Sequence, residues 1–201
     1  MRLILASASP RRRELLTAAG IAFTAQSTEI PEIPNPGEEP RAYAERLARE
    51  KASVIAAAHP EDAVLGADTI VVVDGLVLEK PVDALDAERM LRLLSGRTHE
   101  VITAVCVIAP KQASEKDLSE ENSASVKSDV RSESTQVTFS PLSEREIAYY
   151  VSTGEPMDKA GAYGIQGIAS RWIPRVEGDY SNVVGLPIAL VYRMLRERQL
   201  L

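Results

Sequence analysis

The order of apolar segments and helix signals predicts an α/β protein, in which strands and helices alternate along the chain. Residues 3–6 form a short, wholly apolar run that is typical of a buried strand. Pro10 follows after a polar turn and favours the first turn of a helix, which Gly20 ends. A second helix is expected over residues 40–58, where apolar side chains recur every three or four positions, and a buried strand is expected over residues 63–69.

Length, composition and charge limit the classes of function. A chain of 201 residues with 45% hydrophobic residues can bury one good core. Its 23 basic and 29 acidic residues give a net charge of −6, which argues against a nucleic-acid partner. The single cysteine excludes an internal disulfide, and no apolar run approaches the roughly 20 residues that cross a bilayer. Because a signal-peptide pattern is also missing, we expect a soluble, cytoplasmic protein with no membrane partner.

Three consecutive arginines stand at the start of the first predicted helix. Arg11, Arg12 and Arg13 lie at the positive end of the helix dipole, where each costs about 0.3–1 kcal/mol. A bound anion would offset this cost, because backbone N–H groups, the dipole and the guanidinium groups would all face it. Arg12 shares a helical face with Leu15 and Leu16, so we expect it to matter most. A solvated basic turn is the alternative.

Two charged residues in the next segments have both a structural and a functional interpretation. Glu32 lies in a proline-rich loop, where carboxylates are usually just solvated. Lys51 falls inside the apolar stripe of the second helix, between Leu47 and Ile55. Its aliphatic stem could run along the helix surface, or its ammonium group could reach a cleft and hold a phosphate. The spacing leaves both interpretations open.

The segment after the second helix places an acid and a base near each other. Asp68 stands where the strand over residues 63–69 is expected to end, and ligands of α/β enzymes lie at such strand ends. An Asp74-Gly75 turn then predicts a hairpin that brings Lys80 back toward Asp68. A carboxylate beside a lysine stays ionised, so it can bind a divalent metal or accept a proton from water. A structural ion pair is the alternative, but the arginine, lysine and aspartate signals together favour one phosphate site.

The second half of the chain completes the predicted sheet. Residues 98–109 predict a long strand in which His99 and Cys106 are packing residues, and a return strand is expected over residues 137–139. Between them, residues 111–136 hold seven serines and ten charged residues, with no aromatic residue, glycine or proline. We therefore expect a flexible insertion between two strands rather than a domain boundary.

Helices and short strands fill the remaining parts. Ser143 and Glu146 form the pattern of a capping box, which predicts a helix that reaches about residue 152. Two other helices are expected over residues 83–95 and 187–198, and two short strands over residues 23–28 and 171–177.

A glycine-rich segment over residues 154–167 is the last candidate for a site. Its glycines at positions 161, 164 and 167 would let the backbone approach a ligand closely. The pattern is neither a dinucleotide fingerprint nor a Walker loop. Gln166 carries both a donor and an acceptor, which suits the edge of a nucleobase. Without other evidence, such a segment is typical of an ordinary turn.

Taken together, these motifs identify a family. The chain closely resembles the Maf proteins, which are nucleoside triphosphate pyrophosphatases, and the similarity covers nearly the whole chain outside the serine-rich segment. The blocks that carry it occur together and in order: Ser7-x-Ser9-Pro10-Arg11-Arg12, Arg49-Glu50-Lys51-Ala52, Gly66-Ala67-Asp68-Thr69, Glu79-Lys80-Pro81, Leu94-Ser95-Gly96-x-x-His99-x-Val101, Gly154-Glu155-Pro156-x-Asp158-Lys159-Ala160-Gly161-Ala162-Tyr163-Gly164-Ile165-Gln166-Gly167 and Asn182-Val183-Val184-Gly185-Leu186-Pro187.

The resemblance implies an architecture. It predicts an elongated, curved, mixed β-sheet flanked by helices, with two lobes around a cleft, similar to inosine-triphosphate pyrophosphatases. Residues 1–201 would form a single Maf-like domain, and the protein would be a homodimer.

The resemblance also implies an activity, which is hydrolysis between the α- and β-phosphates of a nucleoside triphosphate. The Gly-Ile-Gln-Gly form of the glycine segment is similar to the branch that acts on dTTP and UTP, with Gln166, Arg12 and Thr69 selecting the substrate. The alternatives are a 7-methyl-GTP pyrophosphatase of the same family, a nucleotide-binding regulator of cell division with little turnover, and a nucleotidyltransferase. The last would usually carry a Gly-Gly-x-Gly-x-Arg loop where this chain has Ser-Ala-Ser-Pro-Arg-Arg.

By matching position, the resemblance assigns roles to single residues. Asp68 would be the general base, and Asp68 with Glu32 would bind a divalent cation, Mg²⁺ or Mn²⁺. The residues that would hold the phosphates are Ser7, Arg11, Arg12, Lys51 and Lys80.

Overall fold

The computed structural model describes residues 2–110 and 128–201, and this part of the chain forms a seven-stranded mixed sheet with helices on both faces. The strands are β1 (Leu3–Ala6), β2 (Thr24–Ala25), β3 (Ala63–Val73), β4 (Leu76–Leu78), β5 (Thr98–Ile108), β6 (Ser128–Thr138) and β7 (Arg175–Glu177). The helices are α1 (Pro10–Ala18), α2 (Pro40–Ala58), α3 (Ala84–Leu94), α4 (Glu144–Ser152), α5 (Tyr180–Val184) and α6 (Ile188–Glu197). Short 3₁₀ turns cover Glu155–Asp158, Ala160–Ala162 and Ile168–Trp172. The predicted α/β class is confirmed.

The strand order creates a gap in the sheet. The strands are arranged β2-β1-β3-β5-β6-β7, with β1 parallel to both its neighbours and β3 antiparallel to β5. On the edge of β3 that faces away from β5, β1 stops at Ala6 beside Gly66, and β4 pairs only from Val71 onward. Within the described part of the chain, residues 67–70 of β3 therefore have no strand beside them on this edge. This gap lies at the carboxyl end of the parallel strand β1, where α/β proteins commonly bind ligands.

Alternating side chains of β1 show how the two faces of the sheet are covered. Ile4 and Ala6 pack with the buried residues of α2, whereas Leu3 and Leu5 pack with those of α6 on the opposite face. A strand that is buried on both faces reads as a continuous apolar run, as it does here. Among the described residues, no helix combines the length and the apolar character that are needed to cross a membrane.

Several local predictions are confirmed. Ser143 and Glu146 form the expected capping box at the start of α4. Asp74 and Gly75 both adopt positive φ angles, 49° and 77°, as a tight hairpin turn of the I′ type requires. His99 and Cys106 are buried packing residues of β5, with 2% and 0% of their surface exposed.

The predicted insertion was wrong in one part. Residues 128–136 belong to β6, which pairs with β5 along its whole length, from Ser128 opposite Ile108 to Thr138 opposite Thr98. Composition suggested no packing, but backbone hydrogen bonds to a buried neighbour hold a strand whose own side chains are largely half-exposed. The rest of the predicted insertion, residues 111–127, lies outside the described residues.

Three strand boundaries also differ from the predictions. The strand expected over residues 23–28 is limited to Thr24–Ala25, and the one expected over residues 171–177 begins only at Arg175. The strand expected to end at residue 69 continues to Val73, so Asp68 lies in its middle. Asp68 nevertheless faces a strand end, because it is the neighbouring strand β1 that stops there.

Candidate active site

A cavity of about 750 Å³ opens at the gap between β1 and β4. Its walls come from the start of α1, the proline-rich loop, α2, β3 and the glycine-rich segment. Every predicted site residue lines this one cavity: Ser7, Arg11, Arg12, Glu32, Lys51, Asp68, Thr69, Lys80 and Gln166. Some of these residues, such as Ser7 and Gln166, lie far apart in the sequence, so it is the fold that brings them together.

Asp68 is a buried acid that lines this cavity. Only 6% of its surface is exposed, and its Oδ1 accepts a hydrogen bond from Lys51 Nζ at 2.6 Å. Burial raises the pKa of Asp68, while the positive charges of Lys51 and Arg12 oppose that rise. The hairpin had predicted Lys80 as the neighbour of Asp68, but the ion pair is made with Lys51 instead.

Lys51 joins two carboxylates. Its Nζ lies 2.5 Å from Glu32 Oε1 as well as 2.6 Å from Asp68 Oδ1, and only 12% of its side chain is exposed. Of the two interpretations of Lys51, the structure therefore shows the one that reaches the cleft. Burial acts to raise the pKa of Glu32, but the hydrogen bond and charge of Lys51, with Lys80 and Arg12, hold it below its usual value. Lys80 is more exposed and lies 4.0 Å from the Glu32 carboxylate.

Arg12 is fixed by neutral oxygen atoms. It is 9% exposed, and burial lowers its pKa while Asp68 opposes that change. Its guanidinium group donates four hydrogen bonds, to Gly185 O at 2.8 Å, Ala67 O at 2.8 Å, Ser7 Oγ at 3.1 Å and Thr69 Oγ1 at 3.1 Å. These bonds tie the first turn of α1 to β3 and to the loop after α5. Arg12 thus sets the shape of this corner of the cavity.

Arg11 bonds to an acid of the glycine-rich segment that also lines the cavity. Its Nη1 donates to Asp158 Oδ2 at 3.2 Å, and Lys159 Nζ donates to Asp158 Oδ1 at 2.6 Å. Burial acts to raise the pKa of Asp158, but Lys159 and Arg11 together lower it. Ser9 caps α1 as its sequence position indicates, accepting from the backbone N–H of Arg12 at 3.5 Å. Two cationic residues and one acid therefore face the cavity on this side.

Several residues of the site were missed as single candidates. Asp158, Lys159 and Glu155 line the cavity, and Glu79 does so with its carboxylate accepting a hydrogen bond from Tyr43 Oη. Their signal was present, because all but Tyr43 stand inside the sequence blocks that carry the family resemblance. Nothing in those blocks alone distinguishes a residue that contacts a ligand from one that supports the wall.

The glycines of the glycine-rich segment are explained by contacts within the protein. Gly161 has φ +68°, and a Cβ atom there would lie 2.9 Å from Val71 Cγ2. Gly164 and Gly167 likewise press against neighbouring side chains. Between them a hydrogen bond from Gly167 N to Gly164 O, 3.1 Å long, closes a tight turn that leaves Gln166 exposed at the cavity wall. The predicted role in letting a ligand approach is thus not needed to explain these positions.

Fold and cavity together define an α/β protein with a charged cleft where a parallel strand ends. The chain belongs to the Maf family, since the family model described as "Maf-like protein" matches residues 2–198.

Relatives of similar length carry one common name. A protein of Koribacter versatilis (strain Ellin345) named dTTP/UTP pyrophosphatase is 56% identical over 196 residues, covering 98% of this chain and 94% of the relative. A protein with the same name from Syntrophomonas wolfei is 52% identical and covers 96% of this chain and 96% of its own length. Another, from Geobacter sulfurreducens, is 50% identical and covers 97% of this chain and 95% of its own length. Among solved structures, the Staphylococcus aureus Ham1 protein matches 69% of this chain and 72% of its own, with 13% identity and a TM-score of 0.44.

Proposed function

We propose that this chain is a nucleoside triphosphate pyrophosphatase that hydrolyses dTTP and UTP to the monophosphate and pyrophosphate. The observation that carries the proposal is the single cavity in which Asp68 lies among cationic side chains from α1, α2 and the hairpin after β3. The relatives at 50% identity and above that are named dTTP/UTP pyrophosphatase support the substrate assignment.

The charges of the cavity suit a polyphosphate. A triphosphate repels an incoming hydroxide, and positive side chains lower that barrier by neutralising charge on the phosphates and on the leaving pyrophosphate. Arg11, Lys51 and Lys80 are the cations that supply this in the proposal. Arg12 already donates four hydrogen bonds within the protein, so its part is to hold Ser7 and Thr69 at the wall.

Asp68 acts as the general base in this proposal. A base works best when its pKa approaches the working pH, and burial moves the pKa of Asp68 upward in that direction. Lys51 and Arg12 keep the ionised form accessible, because their positive charges favour the carboxylate. The Asp68 carboxylate would orient a water molecule toward the α-phosphate and take its proton.

The residues present fit a divalent metal ion. Glu32 and Asp68 both direct a carboxylate oxygen at one point, which the Lys51 ammonium group occupies within 2.6 Å of each. This ammonium group would be displaced by a metal ion bound there, and Lys51 would then be free to hold a phosphate. One or two carboxylates, completed by water and substrate phosphates, form a typical Mg²⁺ ligand set, and Mn²⁺ accepts the same oxygen donors. Such an ion would neutralise phosphate charge. Among residues 2–110 and 128–201, no cluster of three or more metal-binding side chains occurs, so water and substrate oxygens would complete the set.

The test is pyrophosphate release from UTP, dTTP, CTP and 7-methyl-GTP with Mn²⁺, repeated after chelation. We expect release from UTP and dTTP and its loss with the chelator. Release from 7-methyl-GTP alone would contradict the role of Gln166 in substrate choice. Tight binding of UTP without release would favour a nucleotide-binding regulator instead. We further propose that the enzyme works in the cytoplasm and that it is a homodimer. Light scattering of the purified protein would measure its oligomeric state.

A further inference from the structure

The turn that carries Gln166 is anchored at both ends by one pair of side chains. At its start, Gly164 N donates to Tyr150 Oη at 3.1 Å. At its end, Ile168 N donates to the Glu155 carboxylate at 3.1 and 3.2 Å. Tyr150 Oη in turn donates to Glu155 Oε1 at 2.9 Å, so the two anchors form a single hydrogen-bonded unit. We call Tyr150 and Glu155 the turn anchor.

The turn anchor is itself held in place by packing. Tyr150 projects from α4 and is fully buried, with 0% of its surface exposed. Its ring meets the ring of Trp172 edge-on, with centroids 5.5 Å apart and an angle of 73°. Trp172 Nε1 donates to Glu146 Oε1 at 3.0 Å, which fixes the indole against α4. The position of the Tyr150 hydroxyl group is therefore set by the helix and not by the turn.

The glycines show how closely the turn rests on this support. A Cβ atom at Gly167 would lie 2.0 Å from Glu155 Oε1, which no real contact allows. A Cβ atom at Gly164 would lie 2.7 Å from Cε of Lys159, whose Nζ donates to Glu155 O at 2.5 Å. Glycine at these two positions lets the backbone of the turn pack directly against the side chains of Glu155 and Lys159. Gln166, between them, is exposed and lines the cavity.

We propose that Tyr150 and Glu155 are positioning residues for nucleobase recognition, which hold the Gly164–Gly167 turn so that the Gln166 amide meets the base. This inference rests on the proposed function and deepens it. The Tyr150 hydroxyl group and the Glu155 carboxylate are occupied by each other and by backbone N–H groups, so neither needs to contact the substrate. Their effect is transmitted through the turn.

The effect of the turn anchor on binding of the nucleobase can be separated from binding of the phosphates. The cations and Asp68 lie on α1, α2, β3 and the hairpin, and their hydrogen bonds do not involve Tyr150 or residues 164–167. Arg11 is linked to Glu155 through Asp158 and Lys159, but Lys159 donates to the backbone oxygen of Glu155, which Glu155→Ala retains. Loosening the turn should therefore weaken binding of the base while the polyphosphate end keeps its geometry. Binding energy that is equal in the ground and transition states appears in KM and not in kcat.

The experiment compares Tyr150→Phe with Tyr149→Phe. The second variant also removes a tyrosine hydroxyl group, but from the preceding residue of α4, which is exposed to solvent. Glu155→Ala removes the second half of the anchor, and Glu155→Gln keeps one oxygen acceptor, which Tyr150 and Ile168 can share as they share Oε1. For each variant we would measure kcat and KM for UTP and the inhibition constant of inorganic tripolyphosphate, which lacks a base. Thermal unfolding checks that each variant is folded.

We expect the KM for UTP to rise about tenfold in Tyr150→Phe and Glu155→Ala, as loss of a buried hydrogen-bond partner does. In both variants kcat and the tripolyphosphate constant should stay within about twofold of wild type. Tyr149→Phe should resemble wild type, and Glu155→Gln should restore most of the UTP affinity.

Two results would overturn the inference. One is an unchanged KM for UTP in both anchor variants of an active enzyme. The other is a tripolyphosphate constant that rises in parallel with the KM, because general loosening and not base positioning would then explain the loss. A wild-type chain that releases no pyrophosphate from UTP or dTTP would overturn the proposed function itself. The role of the turn anchor in base recognition would then fall as well.

Discussion

Asp68 and His99 are both buried titratable side chains, but they have opposite surroundings. His99 is 2% exposed and packs against Phe139 and Tyr163, with its Nε2 2.8 Å from Tyr163 Oη. Nδ1 of His99 has no hydrogen-bond partner among the described residues, and burial lowers its pKa to about 4. His99 is therefore neutral at pH 7.

Asp68 is 6% exposed and is surrounded by charges. Burial favours its neutral form too, but Lys51 and Arg12 lie close enough to favour the carboxylate. The comparison shows that burial disfavours the charged form of both groups, and that at Asp68 neighbouring opposite charges oppose this effect. Such an assembly in a cleft marks a functional site better than burial does.

The largest effect is expected at Asp68. Asp68→Asn keeps the shape of the side chain but cannot accept a proton, so pyrophosphate release from UTP should fall by roughly 10²–10⁴, as loss of a general base does. Asp74→Asn makes the same chemical change at an exposed hairpin turn and is the control. Near-normal turnover in a folded Asp68→Asn enzyme would remove Asp68 from the reaction.

Arg12 tests an intermediate case, a buried charge that is held by neutral acceptors. Arg12→Lys keeps the charge but loses the planar fork, so at least one of the acceptors Gly185 O and Ala67 O should lose its partner. We expect the free energy of unfolding, measured with urea, to fall by about 1–3 kcal/mol.

The control for this change is Arg13→Lys. Arg13 is exposed on the same helix, and its replacement should change the unfolding free energy by no more than about 0.5 kcal/mol. Equal stabilities for the two variants would mean that the four hydrogen bonds of Arg12 do not hold the cavity corner.

At neutral pH the smallest effect is expected at His99, and it grows as the pH falls. Below pH 6.5 the unfolded chain binds a proton at this residue, and the folded chain does not until about pH 4. Stability therefore falls as the pH falls through this window, by about 1.4 kcal/mol per pH unit at most. His99→Gln keeps a hydrogen-bonding group for Tyr163 and should lack this part of the loss.

The measurement is the free energy of unfolding of both proteins between pH 7 and pH 4. Other groups that titrate in acid contribute equally to the two proteins, so the difference in slope isolates His99. Identical slopes would show that His99 is protonated in the folded protein, and the contrast with Asp68 would disappear.

Much of the local structure was predictable because its signals lie within a few residues. The proline at the start of α1, the Ser143–Glu146 capping box and the Asp74-Gly75 turn each act on their own backbone. The predicted site residues all line one cavity, although their motifs lie far apart along the chain; the family resemblance indicated them as one set. The composition of β6 misled the prediction, since pairing with β5 stabilises a strand whatever its polar side chains suggest.

The sequence by itself determined the class of fold, the helix and turn boundaries near strong caps and, through the family resemblance, nine of the residues that face the cleft. Only the tertiary structure decided that Lys51 and not Lys80 pairs with Asp68, that Arg12 is bound by backbone oxygens, and that Tyr150 and Glu155 support the turn of Gln166. The physical reason is distance along the chain. Local conformation follows from neighbouring residues, whereas the partner of a buried polar group is fixed only when separate elements pack against one another.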